Sequence, residues 1–556
     1  MGRSPLFSLL SRLAADFTRA EESGTTVEEA RAERIRSALS RRDVLAGAAV
    51  VAGAAALPLG AGKAWGAGTT PPVVAIVGGG IAGLAAAMTL KDAGYASTIY
   101  EAMPNRVGGR MLSESPTQVA CGSCHNVGGT HSGSWDYGQV TDVFGEMIDS
   151  GHPTMIALAK RFNLSLTDLL SAEPAGSTRT YYFGGRYYTE AEVQTAFTPV
   201  YAALKADLRA AGYPTTYARS TAAGRALDAM SVYAWIESRV PGGHSSFFGK
   251  LLDVAYTIEY GADSTDQSSL NLIYLLAYCK SGVYSEFGVS DEKYRITGGV
   301  GQLPQAIANF VGSGGIKLGW ELEAISKNAN GTFQLSFNSS RTVVADLVLL
   351  SLPFAVLRGL NFTGAGFDAR KVQAINQLGA GINGKSEVQF TSRLWNNVGP
   401  WGKSSGECYS DTGIQATWES TRGQAGAGGI LVQYTGGSRA LQMSVQHPYG
   451  DATASGVRQD AQTFLAQLEP LLPGATAAWN GHCAGAMPHR CPWFKSSYSY
   501  WKVGQYQAFG GYERVRQGNV FFAGEHTSLD FQGFMEGGAS EGVRAGNEII
   551  SAIRRP

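Results

Sequence analysis

Residues 73–110 read VVAIVGGGIAGLAAAMTLKDAGYASTIYEAMPNRVGGR, and this stretch decides the fold. Its apolar, β-branched start predicts a strand that runs into three spaced glycines, Gly78, Gly80 and Gly83, before a helix. In such a turn the first glycine permits the tight bend, the second admits a pyrophosphate, and the third lets the helix pack closely on the sheet. A second strand ends at Glu101, where a carboxylate can accept hydrogen bonds from ribose hydroxyls. Because strand, helix and terminal acid are all in place, the stretch predicts a dinucleotide-binding βαβ unit and not an isolated tight turn.

Two further motifs point to the kind of dinucleotide. The stretch closes with Gly108-Gly109-Arg110, which resembles the second flavin motif of the FAD-dependent amine oxidase family, where the arginine pairs with the pyrophosphate. Residues 519–542, NVFFAGEHTSLDFQGFMEGGASEG, are similar to the closing flavin motif of the same family. The resemblance extends over four separate segments, at 73–110, 142–152, 294–303 and 493–547, which makes it far more specific than any single motif.

The closing motif also has a physical interpretation. A strand that ends in Ala-Gly-Glu places Gly524 and Glu525 at the carboxyl edge of a sheet, where ligands bind in α/β folds. Gly537 and Gly538 are expected to start a helix and to leave N–H groups free for the flavin O2 and N1 atoms. The resemblance implies that Glu525 contacts the ribityl–phosphate region of FAD and that the backbone at Met535 meets the pyrimidine edge of the ring.

The order of the predicted elements indicates two interleaved domains. We expect a Rossmann-like α/β domain of the FAD-binding type from residues 72–152, 290–358 and 500–556. A mixed sheet-plus-helix substrate domain is expected from residues 153–289, which are mainly helical, and 359–499. Helices are predicted at 154–162, 190–211, 247–256, 270–279, 302–311, 458–472 and 537–553, and strands at 333–337, 345–353, 385–390, 430–434, 443–446 and 519–523.

Composition places the chain among globular proteins and excludes some classes of partner. The 556 residues are 44% apolar and 16% charged, with a formal net charge of zero. No basic run occurs beyond the N-terminal segment, so a nucleic acid partner is not expected. The eight histidines show no metal-ligand spacing, so no metal site is expected. The quaternary state is left open, with a homodimer among the alternatives.

Residues 1–67 resemble a twin-arginine signal region. Arg41 and Arg42 precede an apolar run rich in glycine and alanine at 46–59, for which a buried helix and a membrane anchor are the alternatives. The run is too short to span a bilayer comfortably, so no stable membrane anchor is expected. We therefore expect export by the twin-arginine route and a periplasmic or extracellular protein.

Cys121, Cys124 and His125 have the spacing of a c-type haem attachment motif. Haem at this place would make the chain a flavocytochrome. The surrounding residues are rich in glycine and serine, which favours an inserted loop, with a local disulfide as one form of it. Haem loading after export is also hard to reconcile with the export of a folded protein, so we expect no haem here.

The resemblance identifies three residues for the reaction itself. Lys385 takes the place of a lysine that holds a water against flavin N5, and the alternative is a surface lysine at the start of a strand. Tyr498 and Phe534 match the aromatic residues that flank the substrate nitrogen in monoamine oxidases, with Trp493 nearby as a further substrate contact and ordinary aromatic core as the alternative. Enzymes of the family with covalent flavin have a cysteine just before the first of these aromatic residues. Because Ser497 stands there, we expect FAD to be bound non-covalently.

The segment 144–149 bears on the substrate. In L-amino acid oxidases of the venom type an arginine of this segment binds the substrate carboxylate, and this chain has no arginine there. It has Glu146 and Asp149 instead, which favour an amine or a cationic substrate, because polyamine oxidases hold a distal ammonium with a nearby acid. The alternatives are that these acids are solvated or bind the cofactor, and that an arginine from elsewhere replaces the missing one.

The resemblance therefore implies an FAD-dependent oxidase of small-molecule amines. Hydride passes from the α-carbon of the amine to flavin N5, and the imine is hydrolysed to an aldehyde or keto acid and ammonia. Oxygen then reoxidises the flavin and is reduced to hydrogen peroxide. Two alternatives remain, namely an L-amino acid oxidase with a relocated carboxylate clamp and an amine dehydrogenase that passes electrons to a cytochrome or quinone.

Overall fold

The computed structural model describes residues 71–114, 135–279, 282–454 and 456–554. The predicted signal region and the motif at 121–125 lie outside the described residues. Among the described residues, no helix combines the length and the apolar composition that crossing a bilayer requires.

The described residues form 22 strands and 15 α-helices. The strands, β1 to β22 in chain order, are Val74–Val77, Thr98–Glu101, Ser113–Glu114, Thr141–Asp142, Leu166–Asp168, Thr178–Phe183, Arg186–Tyr188, Tyr294–Ile296, Ile316–Leu318, Leu322–Lys327, Phe333–Phe337, Arg341–Ala345, Leu347–Leu350, Gly379–Ala380, Asn383–Phe390, Ser404–Ser410, Gln415–Glu419, Gly429–Gly436, Tyr449–Asp451, Trp479–Ala486, Ser499–Tyr500 and Val520–Phe522. The α-helices, α1 to α15, are Ile81–Asp92, Pro153–Arg161, Glu190–Ala211, Ala222–Asp228, Val232–Arg239, Phe247–Tyr260, Ser269–Leu276, Gln302–Val311, Phe354–Leu357, Ala369–Gln377, Gly437–Ala440, Val457–Leu468, Ala475–Ala478, Gln505–Phe509 and Met535–Arg554.

Five parallel strands form the sheet that carries the glycine motif, in the order β22-β13-β1-β2-β9. The register pairs Val77 with both Leu350 and Tyr100, and it pairs Leu350 with Phe522. Because the strands are parallel, the segments that follow these residues leave the sheet at one edge. This is the edge at which α/β folds bind their ligands.

Helix α1 starts directly after the glycine turn and packs against α15 and α8. The approach of α1 to α15 depends on a missing side chain, because a Cβ at Gly542 would lie 2.2 Å from the carbonyl oxygen of Ala82. A Cβ at Gly83 would lie 2.0 Å from the carbonyl oxygen of Gly78. Gly83 therefore lets α1 turn back against β1, which is the close packing that the third glycine of the motif predicts.

The second sheet has eight strands in the order β19-β20-β15-β18-β17-β16-β6-β7. Its strands are antiparallel except where β16 lies parallel to β6. On one face Val432 of β18 packs into a core with α6, and on the other Leu431 packs into a separate core with α12. Successive residues of β18 point to opposite faces, so helices on both faces bury the strand along its whole length.

Several predicted elements have the observed bounds, including the helices at 190–211 and 302–311 and the strand at 333–337. The strand predicted at 443–446 is wrong, because this segment has no regular secondary structure and β19 begins only at Tyr449. The N–H groups of Ser444 and Val445 donate to the carboxylate of Asp460, at 2.7 and 2.9 Å. Those donors are therefore not available to a neighbouring strand.

Other predictions differ from the structure at the ends of the elements. The helix predicted at 458–472 ends at Leu468, because Pro470 has no N–H group with which to continue the helical hydrogen bonds. The strand predicted at 345–353 is confined to Leu347–Leu350. The last helix begins at Met535, two residues before its predicted start.

The two sheets draw on different parts of the chain. All five strands of the parallel sheet come from the ranges predicted for the FAD-binding domain, and all eight strands of the second sheet come from those predicted for the substrate domain. The predicted domain boundaries themselves stay a prediction.

We expect Gly542→Ala to lower the free energy of unfolding by about 1–3 kcal/mol, because the new methyl group forces α15 away from α1. Denaturant unfolding of the purified protein measures this change. Asn547→Ala is the matched control, since Asn547 is exposed on the same helix. If Gly542→Ala and the unmodified chain have the same free energy of unfolding, the two helices can move apart without a loss of stability.

Candidate active site

One cavity of about 210 Å³ reaches from the carboxyl edge of the parallel sheet to the eight-stranded sheet. Its wall includes Gly78 and Ser351, which follow β1 and β13, and Tyr434 of β18. All the predicted site residues except Gly83 line it, namely Gly78, Gly80, Glu101, Gly109, Arg110, Glu146, Asp149, Lys385, Trp493, Tyr498, Gly524, Glu525, Phe534 and Met535. The structure therefore brings together segments that are far apart in the sequence.

The glycine turn shapes one end of this cavity. Gly78 has φ +103°, and a Cβ there would lie 2.7 Å from the Ser351 hydroxyl oxygen, so the turn excludes other residues. Gly80 precedes the first residue of α1 and lines the cavity, where a Cβ would meet no atom within 4 Å. The amino end of α1, with its unpaired N–H groups, thus borders open space of the kind that a phosphate needs.

Glu101 is buried at the end of β2, beside the glycine turn. Its two carboxylate oxygens accept hydrogen bonds from the N–H groups of Gly79 and Met103, at 2.6 and 2.8 Å. Burial raises the pKa of Glu101, and these two hydrogen bonds counter only part of that rise. Each oxygen keeps a lone pair for a further donor, which is what the predicted contact with ribose hydroxyls requires.

Arg110 and Glu525 form an ion pair in the cavity wall, with 3.2 Å between nitrogen and oxygen. Arg110 also donates to the carbonyl oxygen of Ser497 at 2.5 Å. Glu525 accepts hydrogen bonds from the Ser499 hydroxyl and from the N–H of Gly533. Burial alone would raise the pKa of Glu525, but Arg110 and these donors together lower it. A guanidinium has five N–H donors, so this pairing leaves Arg110 with donors for an anionic group.

Lys385 is buried on β15, with 4% of its surface exposed, so it is not a surface lysine. Its ammonium donates to the carbonyl oxygen of Asp142 at 2.8 Å and to Oε2 of Glu146 at 2.9 Å. It also lies 5.3 Å from the centre of the Trp418 ring. The two acceptors and the ring hold the ammonium at a fixed place in the cavity wall.

Glu146 is the carboxylate that balances this charge. Besides Lys385, it accepts hydrogen bonds from the Ser420 hydroxyl at 2.7 Å and from the Trp418 indole at 3.2 Å. Burial raises its pKa, but Lys385 and Arg295 outweigh that effect and lower the pKa below its ordinary value. This pairing indicates that Glu146 positions Lys385. It argues against the predicted contact between Glu146 and a distal ammonium.

Asp149 lines the cavity and also holds the turn at 290–293 through hydrogen bonds. Its Oδ1 accepts hydrogen bonds from the Ser290 hydroxyl at 3.0 Å and from the N–H of Glu292 at 2.9 Å. Burial raises the pKa of Asp149 to about 6. The carboxyl group that these contacts present to the cavity is that of Glu292, which the sequence analysis does not single out. In the sequence, Ser-Asp-Glu-Lys at 290–293 has the composition of an ordinary exposed turn, so no signal marks Glu292.

The aromatic residues of the cavity are held by the protein around them. The Tyr498 hydroxyl donates to the carbonyl oxygen of Ile258 at 2.9 Å and lies 3.1 Å from the Tyr434 hydroxyl. The Phe534 ring meets the edge of the His152 ring, with 4.9 Å between the ring centres. Trp493 lines the same cavity. These contacts fix both rings of the predicted aromatic pair in its wall.

The expectation of a free N–H group is corrected by the structure for Gly538. The N–H of Gly538 already donates to the carbonyl oxygen of Phe534 at 3.2 Å, as the first regular bond of α15. Because this helix begins at Met535, its first N–H groups belong to residues 535–537. Met535 and Gly538 line the cavity, so the amino end of α15 still borders it.

Residues 81–550 match the family model described as flavin containing amine oxidoreductase. Polyamine oxidase 2 from Arabidopsis thaliana is 26% identical over 46% of this chain and 50% of that protein. The L-amino-acid oxidase of Mus musculus is 23% identical over 86% of this chain and 71% of that protein. The chain spans about half the length of the first curated relatives that it matches.

Solved structures with the same fold include two amine oxidases. Cyclohexylamine oxidase from Brevibacterium oxydans IH-35A superposes with a TM-score of 0.71 at 21% identity, over 87% of this chain and 100% of that chain. Putrescine oxidase bound to putrescine superposes with a TM-score of 0.67 at 19% identity, over 87% of this chain and 99% of that chain. The predicted fold class, an FAD-binding α/β domain interleaved with a mixed substrate domain, is confirmed. With the family model covering residues 81–550, the chain belongs to the flavin-containing amine oxidoreductases.

Proposed function

We propose that this chain oxidises amines at the carbon that bears the nitrogen, with FAD bound in the cavity. One observation carries the proposal: a single cavity joins the dinucleotide-binding turn to Lys385, Tyr498 and Phe534. Membership of the family implies FAD as the cofactor.

The residues at the sheet edge suit FAD. The turn at Gly78 and Gly80 and the amino end of α1 would receive the pyrophosphate, and Glu101 would receive the adenosine ribose. Arg110 and Glu525 offer a donor and an acceptor side by side for the phosphate and ribityl groups. When bound, FAD supplies the redox chemistry by accepting a hydride from the amine and passing the electrons to an acceptor.

The protein's own residues position the amine and control water. Tyr498 and Phe534 would hold the substrate nitrogen between apolar surfaces from which bulk water is excluded. Lys385 uses two of its three N–H donors on Asp142 and Glu146. The third is left to hold one water in the cavity, which is the role that the family resemblance gives to this lysine.

The charges of the cavity favour an amine over an α-amino acid. Among the described residues, the cavity wall contains two cationic side chains, Arg110 and Lys385. Arg110 is paired with Glu525 and its remaining donors are assigned to the cofactor, and Lys385 is paired with Glu146. An L-amino acid oxidase with a relocated clamp would need a cation that is free to bind the substrate carboxylate. An amine dehydrogenase stays open as the second alternative, since it would use the same cavity with a different electron acceptor.

We expect purified protein loaded with FAD to release hydrogen peroxide in air with alkylamines or arylalkylamines. Their kcat/KM should exceed that of L-amino acids by at least about tenfold, because an unpaired buried carboxylate is costly. A coupled peroxidase assay over both substrate classes measures this. Peroxide from L-amino acids alone would contradict the amine proposal, and amine-dependent dye reduction without peroxide would identify a dehydrogenase.

We expect acid precipitation to release all the FAD into the supernatant, because Ser497 has no thiol with which to form a bond to the flavin. In the structure the Ser497 hydroxyl donates to Oδ1 of Asn383 at 2.6 Å. Absorption spectra of supernatant and pellet measure the outcome. Yellow colour that stays with the precipitated protein would show a covalent link.

We expect Lys385→Met to slow the reoxidation of the reduced flavin by oxygen by about tenfold or more, because a fixed positive charge is lost from a site where negative charge develops. Stopped-flow mixing of anaerobically reduced protein with oxygen measures the rate. Lys502→Met is the control, at a lysine whose side chain is 42% exposed.

Lys385→Met also leaves Glu146 buried and unpaired, which would destabilise the fold. The double variant Lys385→Met/Glu146→Gln removes both charges and separates this effect from the rate. If either folded variant is reoxidised at the rate of the unmodified protein, Lys385 does not assist the reaction of the reduced flavin with oxygen.

A further inference from the structure

A second cavity of about 180 Å³ adjoins the first. Both are lined by Met147, Glu292 and Trp418, so these three residues form the boundary between them. The wall of the second cavity comes from the eight-stranded sheet and from the turn at 285–292. A substrate longer than the first cavity could extend past this boundary.

The second cavity is strongly acidic. Seven carboxylic side chains and two arginines line it. Arg179 is paired with Glu407 at 2.8 Å and with Glu286 at 3.5 Å, and Arg422 is paired with Glu173 at 3.7 Å. Both arginines are therefore engaged, and the remaining carboxyl groups give the cavity an excess of acid.

Glu292 differs from the acids that have partners. As a residue it is partly exposed, but its Oε1 atom is buried and has no hydrogen-bond partner. Its backbone has φ +44°, a conformation rare outside glycine, and Asp149 holds it there through the Glu292 N–H. The fold thus maintains an unpartnered carboxyl oxygen at the boundary of the two cavities.

The surroundings of Glu292 oppose its negative charge. Burial, and next the neighbouring carboxylate of Glu407, raise the pKa of Glu292 to about 8. A cation beside Glu292 would reverse this effect, because an opposite charge favours the ionised form. Met147 and Trp418 offer apolar surface at the boundary to a methylene chain on its way to that cation.

We propose that the second cavity binds a second, cationic group of the substrate, with Glu292 as its counter-ion. The reacting amine lies in the first cavity, and the distal ammonium lies at Glu292. The inference rests on the proposed function and narrows the substrates to molecules with two cationic nitrogens joined by a flexible chain. A diamine or polyamine supplies this chemistry, and so does an amino acid with a basic side chain.

Matched substrate pairs test this assignment. Hexamethylenediamine is compared with hexylamine, and L-lysine with L-norleucine, each pair differing in the distal ammonium. The measured quantity is kcat/KM, together with the rate of anaerobic flavin reduction. We expect the dicationic member to exceed its partner by at least about tenfold in at least one pair. Preference in the first pair identifies diamines as the source. Preference in the second pair alone identifies basic amino acids as the source and contradicts the proposed preference for amines over α-amino acids.

Glu292→Gln keeps the size of the side chain and removes its charge. We expect it to reduce the preference for the dicationic member at least about tenfold. The matched control is Asp291→Asn, which removes a charge from the same cavity wall. Its carboxylate already accepts a hydrogen bond from the Ser150 N–H at 2.8 Å, so we expect the preference to fall by less than about threefold. FAD content and thermal unfolding confirm that both variants are folded.

The outcomes separate this proposal from the one on which it rests. Flavin reduction without any preference for the dicationic member would overturn the subsite and leave amine oxidation standing. A preference that survives in Glu292→Gln, or falls equally in Asp291→Asn, would also overturn it. No flavin reduction by any of the four compounds would overturn the subsite together with the proposed function.

Discussion

The common edge at which the parallel strands end determines where the segments of the cofactor-binding site meet. The register of β22, β13, β1 and β2 brings the ends of four strands to one edge, although the strands span more than four hundred residues of sequence. The glycine turn, Glu101, Ser351 and Gly524 follow these ends, and all of them line the same cavity. A cofactor site assembled in this way needs no long insertion, because the sheet itself sets the distance between its parts.

Buried charge is the second organising feature. Arg110 with Glu525 and Lys385 with Glu146 are pairs whose members come from distant segments, and each pair lies in the cavity wall. Pairing makes these charges compatible with burial, and removal of one partner would leave the other without compensation. Glu292 is different, since its Oε1 is buried without a partner. A cation that arrives with a ligand would compensate this group, as the proposed second subsite requires.

The sequence predicts the elements whose signals are local. The spaced glycines mark the turn, and apolar periodicity marks the helices at 190–211 and 302–311 with the observed bounds. The strand predicted at 443–446 does not form, because the Asp460 side chain of α12 accepts hydrogen bonds from N–H groups of that segment. Glu146 is located in the cavity as predicted, but its partner lies 239 residues away, so no local pattern reveals the pairing. The boundary position of Glu292 depends on a strained turn held by Asp149, which residue types alone do not specify.

The interleaving of the two domains has a consequence for biosynthesis. The edge strand β22 and helix α15 follow β1 by more than four hundred residues, yet α15 covers α1 and borders the cavity. The nucleotide-binding half therefore stays incomplete until residues 520–554 have been synthesised, and until then its early strands have one sheet edge and one helix face uncovered. Contacts of such long sequence separation slow folding, so a chaperone that shields β1 and α1 during synthesis would act at the stage of greatest exposure. The cavity that α15 borders is therefore complete only after this helix has been synthesised.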